Sequence, residues 1–254
     1  MKRSYIVLWW TILLIPGIAL GQTYQPDLYL VSIGVSNYHY YPEAQLNFAD
    51  SDALAIDHQF IESAAYQHTT SVTLLNENAT RANILSVHEK LMHTTVDDQV
   101  ILFFSRHGFL DMATANFYIC PNTFQLDHPD STGVRFEELE GLLDGIPARR
   151  RLLLIDACNS GEVDPETFDK MKRSWKPGLE IVRGKKAFVP VNAKNRKTKT
   201  TQGLFTYALL HSLQPGLTLK TLVDQTVSKV SEIAGNTQVP FVREENDQFD
   251  YVIW

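Results

Sequence analysis

The sequence is short of cysteine, of long apolar runs and of surplus positive charge. Two cysteines, Cys120 and Cys158, in 254 residues exclude a disulfide framework as what holds the fold. They allow a single bridge or two free thiols. If Cys158 is a nucleophile a bridge would block it, so the expectation is two free thiols, with Cys120 a small core residue on its own strand. The apolar run from Tyr5 to Leu14 is shorter than the roughly 20 residues that span a bilayer. It follows Lys2 and Arg3 and precedes Pro16, Gly17 and the small-residue site Ala19-Leu20-Gly21, which is the layout of a secretory signal peptide. Residues 1–21 are therefore expected to be removed. What remains is a secreted or periplasmic domain over 22–254 with no stable membrane insertion. Without Lys2 and Arg3 the chain carries 21 basic and 29 acidic residues, a formal charge of −8, which argues against nucleic acid as a partner. There is no internal repeat and no low-complexity linker. Metal-binding patterns are also lacking. His88 and His93 are five residues apart and would not share a helix face, and Asp127, His128 and Asp130 do not follow a calcium-loop pattern.

What the sequence does have is alternation. With 44% hydrophobic and 20% charged residues it reads as one globular domain. Short apolar runs at Leu28–Val35, Ser71–Leu75, Val100–Phe104 and Leu152–Ile155 read as strands. A strand is also expected at Ala187–Val191, a small extra one at Asn116–Cys120, and an edge strand at Phe249–Ile253. Helical spacing occupies Ala44–Ile61, Arg81–His93 behind Thr80 as its cap, Phe136–Leu143, Leu204–Leu213 and Leu219–Ile233. Strands alternating with helices predict an α/β fold of three layers, α/β/α, around a mostly parallel central sheet.

Two of the buried strands end in reactive residues. Val100-Ile101-Leu102-Phe103-Phe104 runs into Ser105-Arg106-His107-Gly108, and Leu152-Leu153-Leu154-Ile155 runs into Asp156-Ala157-Cys158-Asn159-Ser160-Gly161. Taken singly, a cysteine is most often a core residue and a histidine here a turn residue. Together, at the carboxyl ends of parallel strands where ligands of open α/β sheets sit, they form a candidate nucleophile and base.

These segments carry a resemblance. From about Leu28 onward the chain resembles the caspase-like cysteine peptidases, and among them the bacterial metacaspase-like members. Ser105-Arg106-His107-Gly108 stands for the family's Ser-Gly-His-Gly, and Asp156-Ala157-Cys158-Asn159-Ser160-Gly161 for its Asp-x-Cys-x-Ser-Gly. Gly203-Leu204-Phe205-Thr206 is similar to a helix start in the small-subunit region, and Leu46 to Ala53 to the stretch that ends in Asp-Ala. The resemblance implies a caspase-like fold and an exported cysteine endopeptidase with a His107/Cys158 dyad. It further implies an oxyanion hole from the backbone N–H groups of Gly108 and Cys158, a protein or peptide substrate and no cofactor, with calcium activation left open. Metacaspase-like members use two acids to receive Arg or Lys. Asp52 and Asp156 match those positions, so cleavage after a basic residue is expected, since an acidic substrate would meet like charge. The competing reading is that Asp52 caps or solvates its own helix while Asp156 fixes a loop.

Eleven Lys or Arg fall between Lys170 and Lys199 against one acid, Glu180. This is a basic segment inside a loop expected over about 162–202, where the family carries its intersubunit loop. Two departures stand against the family pattern. Arg106 replaces the glycine before the histidine, putting a long cation beside His107, and Phe188 to Gln202 lacks the expected Ala-Ser-rich stretch. They motivate a rival expectation, a catalytically inactive caspase-like domain that binds a peptide or partner.

Overall fold

A computed structural model describes residues 25–111, 113–157, 179–184, 202–235, 240–243 and 250–254. In chain order these form β1 (Leu28–Gly34), α1 (Ala49–Ile61), β2 (Thr69–Leu75), α2 (Arg81–Leu91), β3 (Gln99–Arg106), β4 (Gly108–Asp111), β5 (Asn116–Ile119), α3 (Pro129–Thr132), β6 (Val134–Arg135) and α4 (Phe136–Gly141). Then come β7 (Arg150–Ala157), β8 (Leu179–Gly184), α5 (Leu204–Leu210), α6 (Leu219–Ile233) and β9 (Phe241–Arg243). The main sheet has the order β2-β1-β3-β7-β8-β9. It is parallel from β2 to β8, with β9 antiparallel at the edge.

Period-two alternation assigns the two faces of that sheet. Leu28 and Leu30 of β1, Ile101 and Phe103 of β3, and Leu152 and Leu154 of β7 pack with Ala53, Ile56 and Phe60 of α1, Phe205 and Leu209 of α5 and Leu222 of α6. The intervening residues Val31, Ile33, Leu102, Phe104, Leu153 and Ile155 face the other way, onto Ile84, Val87 and Leu91 of α2, Phe136 and Leu139 of α4, and the small antiparallel sheet β4-β5-β6. Two apolar layers on one sheet give the three-layer α/β/α fold. Because both faces are covered, the strands read as near-continuous apolar runs in the sequence.

Local signals explain the element ends. The Thr80 side chain accepts a hydrogen bond from Asn83 N at 3.2 Å and starts α2, as its cap position predicts. Gly34 ends β1 where α1 begins: a Cβ there would lie 2.3 Å from Ala49 O, so only glycine lets the helix start this close to the sheet.

The structure departs from the sequence reading at several element boundaries. Both β3 and β7 run past their apolar cores, to Arg106 and Ala157, because Ser105, Arg106 and Asp156 are buried although polar. Residues 179–184, expected within a loop, form β8 beside β7, whereas Ala187–Val191 lies outside the described residues. Of the expected edge strand Phe249–Ile253, Phe249 lies outside the described residues and Val252 forms an isolated antiparallel bridge with Thr218; the described edge strand of the main sheet is β9. The chain end instead docks across α6 and the base of the sheet: Leu219 N donates to Tyr251 O at 2.9 Å and Ile253 N to Leu217 O at 2.8 Å. Tyr66 Oη and Gln99 Nε2 satisfy the carbonyls of Ile253 and Val252 at 2.8 and 3.0 Å. With Ile253 wholly buried, these bonds do for the segment what a strand neighbour would do. The segment 1–24 lies outside the described residues. Among the described residues no helix is long and apolar enough to cross a membrane.

Candidate active site

The carboxyl edge of the sheet gathers the residues singled out in the sequence. Strand register aligns Gly34 with Ser105 and Ser105 with Asp156, and the last pair of β3 and β7 is Arg106 with Ala157. His107 and Cys158 are each the next residue along their chains. Cys158 lies outside the described residues. Gly108 opens β4 opposite Ile119.

His107 is half-buried and held at two points. Its Nε2 lies 2.7 Å from Ala44 O. A carbonyl oxygen can only accept, so Nε2 carries a proton, and in the neutral ring Nδ1 then has the lone pair. Ala44 ends the 3₁₀ turn Pro42–Ala44, and a carbonyl at the end of a helical turn has no partner within it. The backbone N–H of His107 donates to Tyr38 Oη at 2.8 Å, and the two rings are 5.0 Å apart at 38°.

Asp52 and Asp156 come from different elements and meet. Asp156 continues the inward series Leu152, Leu154 on β7, and Ser105 the series Ile101, Phe103 on β3. Asp52 lies in the first turn of α1, which covers that same face. Asp52 Oδ2 accepts from Ser105 Oγ at 2.9 Å, and Oδ1 accepts from Gly203 N at 2.7 Å. Gly203 is the N-cap residue of α5. A Cβ on it would lie 2.8 Å from Asp52 Oδ2 and 3.0 Å from Asp156 Oδ2, which puts those oxygens within about 6 Å of each other, inside the range where carboxylates feel one another's charge. Both acids are almost wholly buried, at 0% and 1% exposure.

Arg106 points the other way. It follows Phe104 on the face that packs α2 and the small sheet, and its guanidinium stacks over the Phe104 ring at 4.4 Å. It is fully buried, and its three nitrogens have no hydrogen-bond partner among the described residues. Burial pushes the guanidinium down to about 9. Although the sequence sets this cation beside His107, side-chain alternation sends Arg106 away from Asp52 and Asp156. Cys120, beyond β5, is a buried free thiol, pushed up to about 12 by burial.

Other sequence candidates have structural roles. His88 Nδ1 contacts Leu142 O at 3.0 Å, and Asp130 accepts from Tyr118 Oη at 2.5 Å. Among the described residues no three His, Cys, Asp or Glu side chains form a metal-binding group. Sequence reasoning missed the parts played by Tyr38, Ala44 and Ser105. Ala44 acts through a backbone oxygen and leaves no trace in residue type. Ser105 was visible only as part of a motif.

No protein-family model and no curated protein sequence matches the chain. A crystal structure of the protein GSU0716 from Geobacter sulfurreducens is similar in fold, with a TM-score of 0.58 at 17% identity, covering 86% of this chain and 93% of that one. At that identity the likeness speaks to fold alone.

Proposed function

We propose that this chain is a caspase-like cysteine endopeptidase, exported behind its N-terminal segment, that cleaves peptide bonds after Arg or Lys. The observation that carries the reading is the strand register. β3 and β7 are adjacent and parallel with Arg106 opposite Ala157, and the next residues in sequence are His107 and Cys158, at the edge where α/β sheets bind ligands. The fixed tautomer of His107 adds to it, because a ring that donates through Nε2 offers Nδ1 as a base.

In this reading the Cys158 thiol gives its proton to His107 and the thiolate attacks the scissile carbonyl carbon. The tetrahedral oxyanion is held by the backbone N–H groups of Gly108 and Cys158. His107 returns the proton to the leaving amine, the C–N bond breaks and a thioester remains. A water, deprotonated by His107, then attacks the thioester, releasing the acid and restoring the thiol. Asp52 and Asp156 receive the basic side chain on the acyl side of the cut. Ser105 and Gly203 hold the Asp52 carboxylate in place but are neutral donors, so they orient its charge without cancelling it.

A second reading keeps the fold and drops the chemistry: a peptide-binding domain without turnover. Arg106 in place of the family's glycine before His107 is what motivates it, and the near-zero exposure of Asp52 and Asp156 means the receptor must open to be filled in either reading. Paired fluorogenic peptides ending in Arg and in Asp decide between the two. The expected result is turnover of the Arg peptide at least about 100-fold faster, abolished in Cys158→Ala. Faster turnover of the Asp peptide, or activity that survives in Cys158→Ala, overturns the proposal. Binding of the Arg peptide without turnover supports the second reading.

A further inference from the structure

We infer that Tyr38 is a positioning residue for His107, acting through a strap formed by residues 36–46 that grips the histidine at both its backbone and its ring. The inference rests on the peptidase reading for its consequence, but its geometry stands apart from that reading. The last bond of this chain to β3 is from Val35 N to Ser105 O at 3.0 Å, and the N–H of His107 finds its partner in a side chain, Tyr38 Oη at 2.8 Å. The same strap supplies Ala44 O, 2.7 Å from His107 Nε2. A base gripped at the peptide and at the far ring nitrogen has few remaining ways to move Nδ1.

The strap is itself pinned from outside. Asn76 Oδ1 accepts from the N–H groups of Ser36 and Asn37 at 2.8 and 3.1 Å. Asn122 Nδ2 donates to Asn37 O at 2.7 Å, and His39 N donates to Asn122 O at 2.9 Å. Leu46 N closes the strap on Ser36 O at 2.8 Å. Tyr38 is 4% exposed, so its hydroxyl sits where water does not readily replace it. Removing that oxygen leaves the His107 N–H buried without its acceptor, and the peptide carrying the base shifts to relieve this.

Tyr38→Phe removes the oxygen and keeps the ring beside the imidazole. Two measurements read it. On an Arg peptide, kcat should fall by about tenfold with KM within about twofold, the mark of a displaced base with binding left alone. Alkylation by iodoacetamide at neutral pH should slow toward the rate of His107→Ala. That rate reports Cys158, because buried Cys120, pushed up to about 12, stays silent. A kcat and an alkylation rate both equal to those of the native protein overturn the inference. If the Arg peptide is not cut at all while alkylation still depends on His107 and on Tyr38, the peptidase reading fails and the strap stands. If Tyr38→Phe does not fold, Asn122→Ser, which removes the donor to Asn37 O, carries the same test, with the same split expected and unchanged rates again refuting.

Discussion

Replacing Arg106 with leucine should make the protein more stable. The guanidinium is fully buried, its nitrogens have no hydrogen-bond partner among the described residues, and its visible compensation is the Phe104 ring at 4.4 Å. Burial moves it from the ordinary arginine range down to about 9, a cost of several kcal/mol against the charged form at ~1.4 kcal/mol per pH unit. The stacking on Phe104 returns about 2 kcal/mol of this. Leucine fills part of the volume with no charge to desolvate, so a net gain of about 1–3 kcal/mol is expected at pH 7. The pH dependence has a definite sign. Below about 9 the folded and unfolded chains both hold the proton and the penalty is complete. Above that the folded chain releases the proton while the unfolded chain, with its guanidinium in the ordinary range, keeps it, so the native protein gains stability with rising pH across this window. The leucine variant lacks that gain, and its advantage should shrink between pH 7 and pH 10. Urea unfolding of both proteins at the two pH values measures this. A folded Arg106→Leu protein that is less stable than the native one at pH 7 refutes the reasoning, because the guanidinium must then be satisfied.

Two further substitutions test the edge of the sheet. Gly203 has φ −62 and ψ 156, a conformation alanine adopts freely, so Gly203→Ala isolates the clash of a methyl with Asp52 Oδ2 and Asp156 Oδ2 at 2.8 and 3.0 Å; KM for Arg peptides should rise about tenfold or more, with a stability loss of about 1–3 kcal/mol, and an unchanged KM removes the acids from the receptor. Asp50 is pushed up by burial, but hydrogen bonds from Ser36, Asn76 and the Ser51 N–H outweigh this and hold its carboxyl below the usual range. The stability it contributes is therefore present above its ordinary value and lost as pH falls through the depressed one. In urea titrations Asp50→Asn should lack that acid-side loss, and an identical acid profile would show that these bonds do not favour the ionised form.

The interior of the fold was legible because apolar period and strand length agree in it: β1, β3 and β7 carry their burial in residue type, and α2 announces its start with Thr80. Legibility fails where polar residues are buried. Ser105, Arg106 and Asp156 read as the ends of strands, yet each continues the alternation of its strand and is inside. β8 was hidden because its basic surroundings read as loop, and β9 because three residues carry no periodic signal. At the site, Asp52 and Asp156 were expected together from resemblance and do converge, whereas the grip on His107 was illegible in principle, since one of its two acceptors is a backbone oxygen. Arg106 was misplaced for a different reason. The sequence puts it next to His107, but along β3 it shares the face of Phe104, opposite that of Ser105, whose hydroxyl meets Asp52.

The paired acids bear most directly on what the site can accept. At ~6 Å and an effective dielectric of ~20, two ionised carboxylates repel by about 3 kcal/mol, and removing each from water adds to that. If Asp52 merely capped or solvated its own helix it would need no contact with other elements. Instead, its two oxygens are taken by Ser105 on β3 and by Gly203, 151 residues away, and the bare α-carbon of Gly203 is what lets Asp156 approach the same point. A glycine at which the backbone requires none, set between two buried acids, is best explained by the space it leaves. In the proposed receptor role Ser105 and Gly203, as neutral donors, fix the direction of the Asp52 oxygens, and two acids this close would hold a cation over a neutral guest of the same shape. Such a receptor selects charge before size, which is why the Arg against Asp comparison discriminates more sharply than any series of apolar peptides.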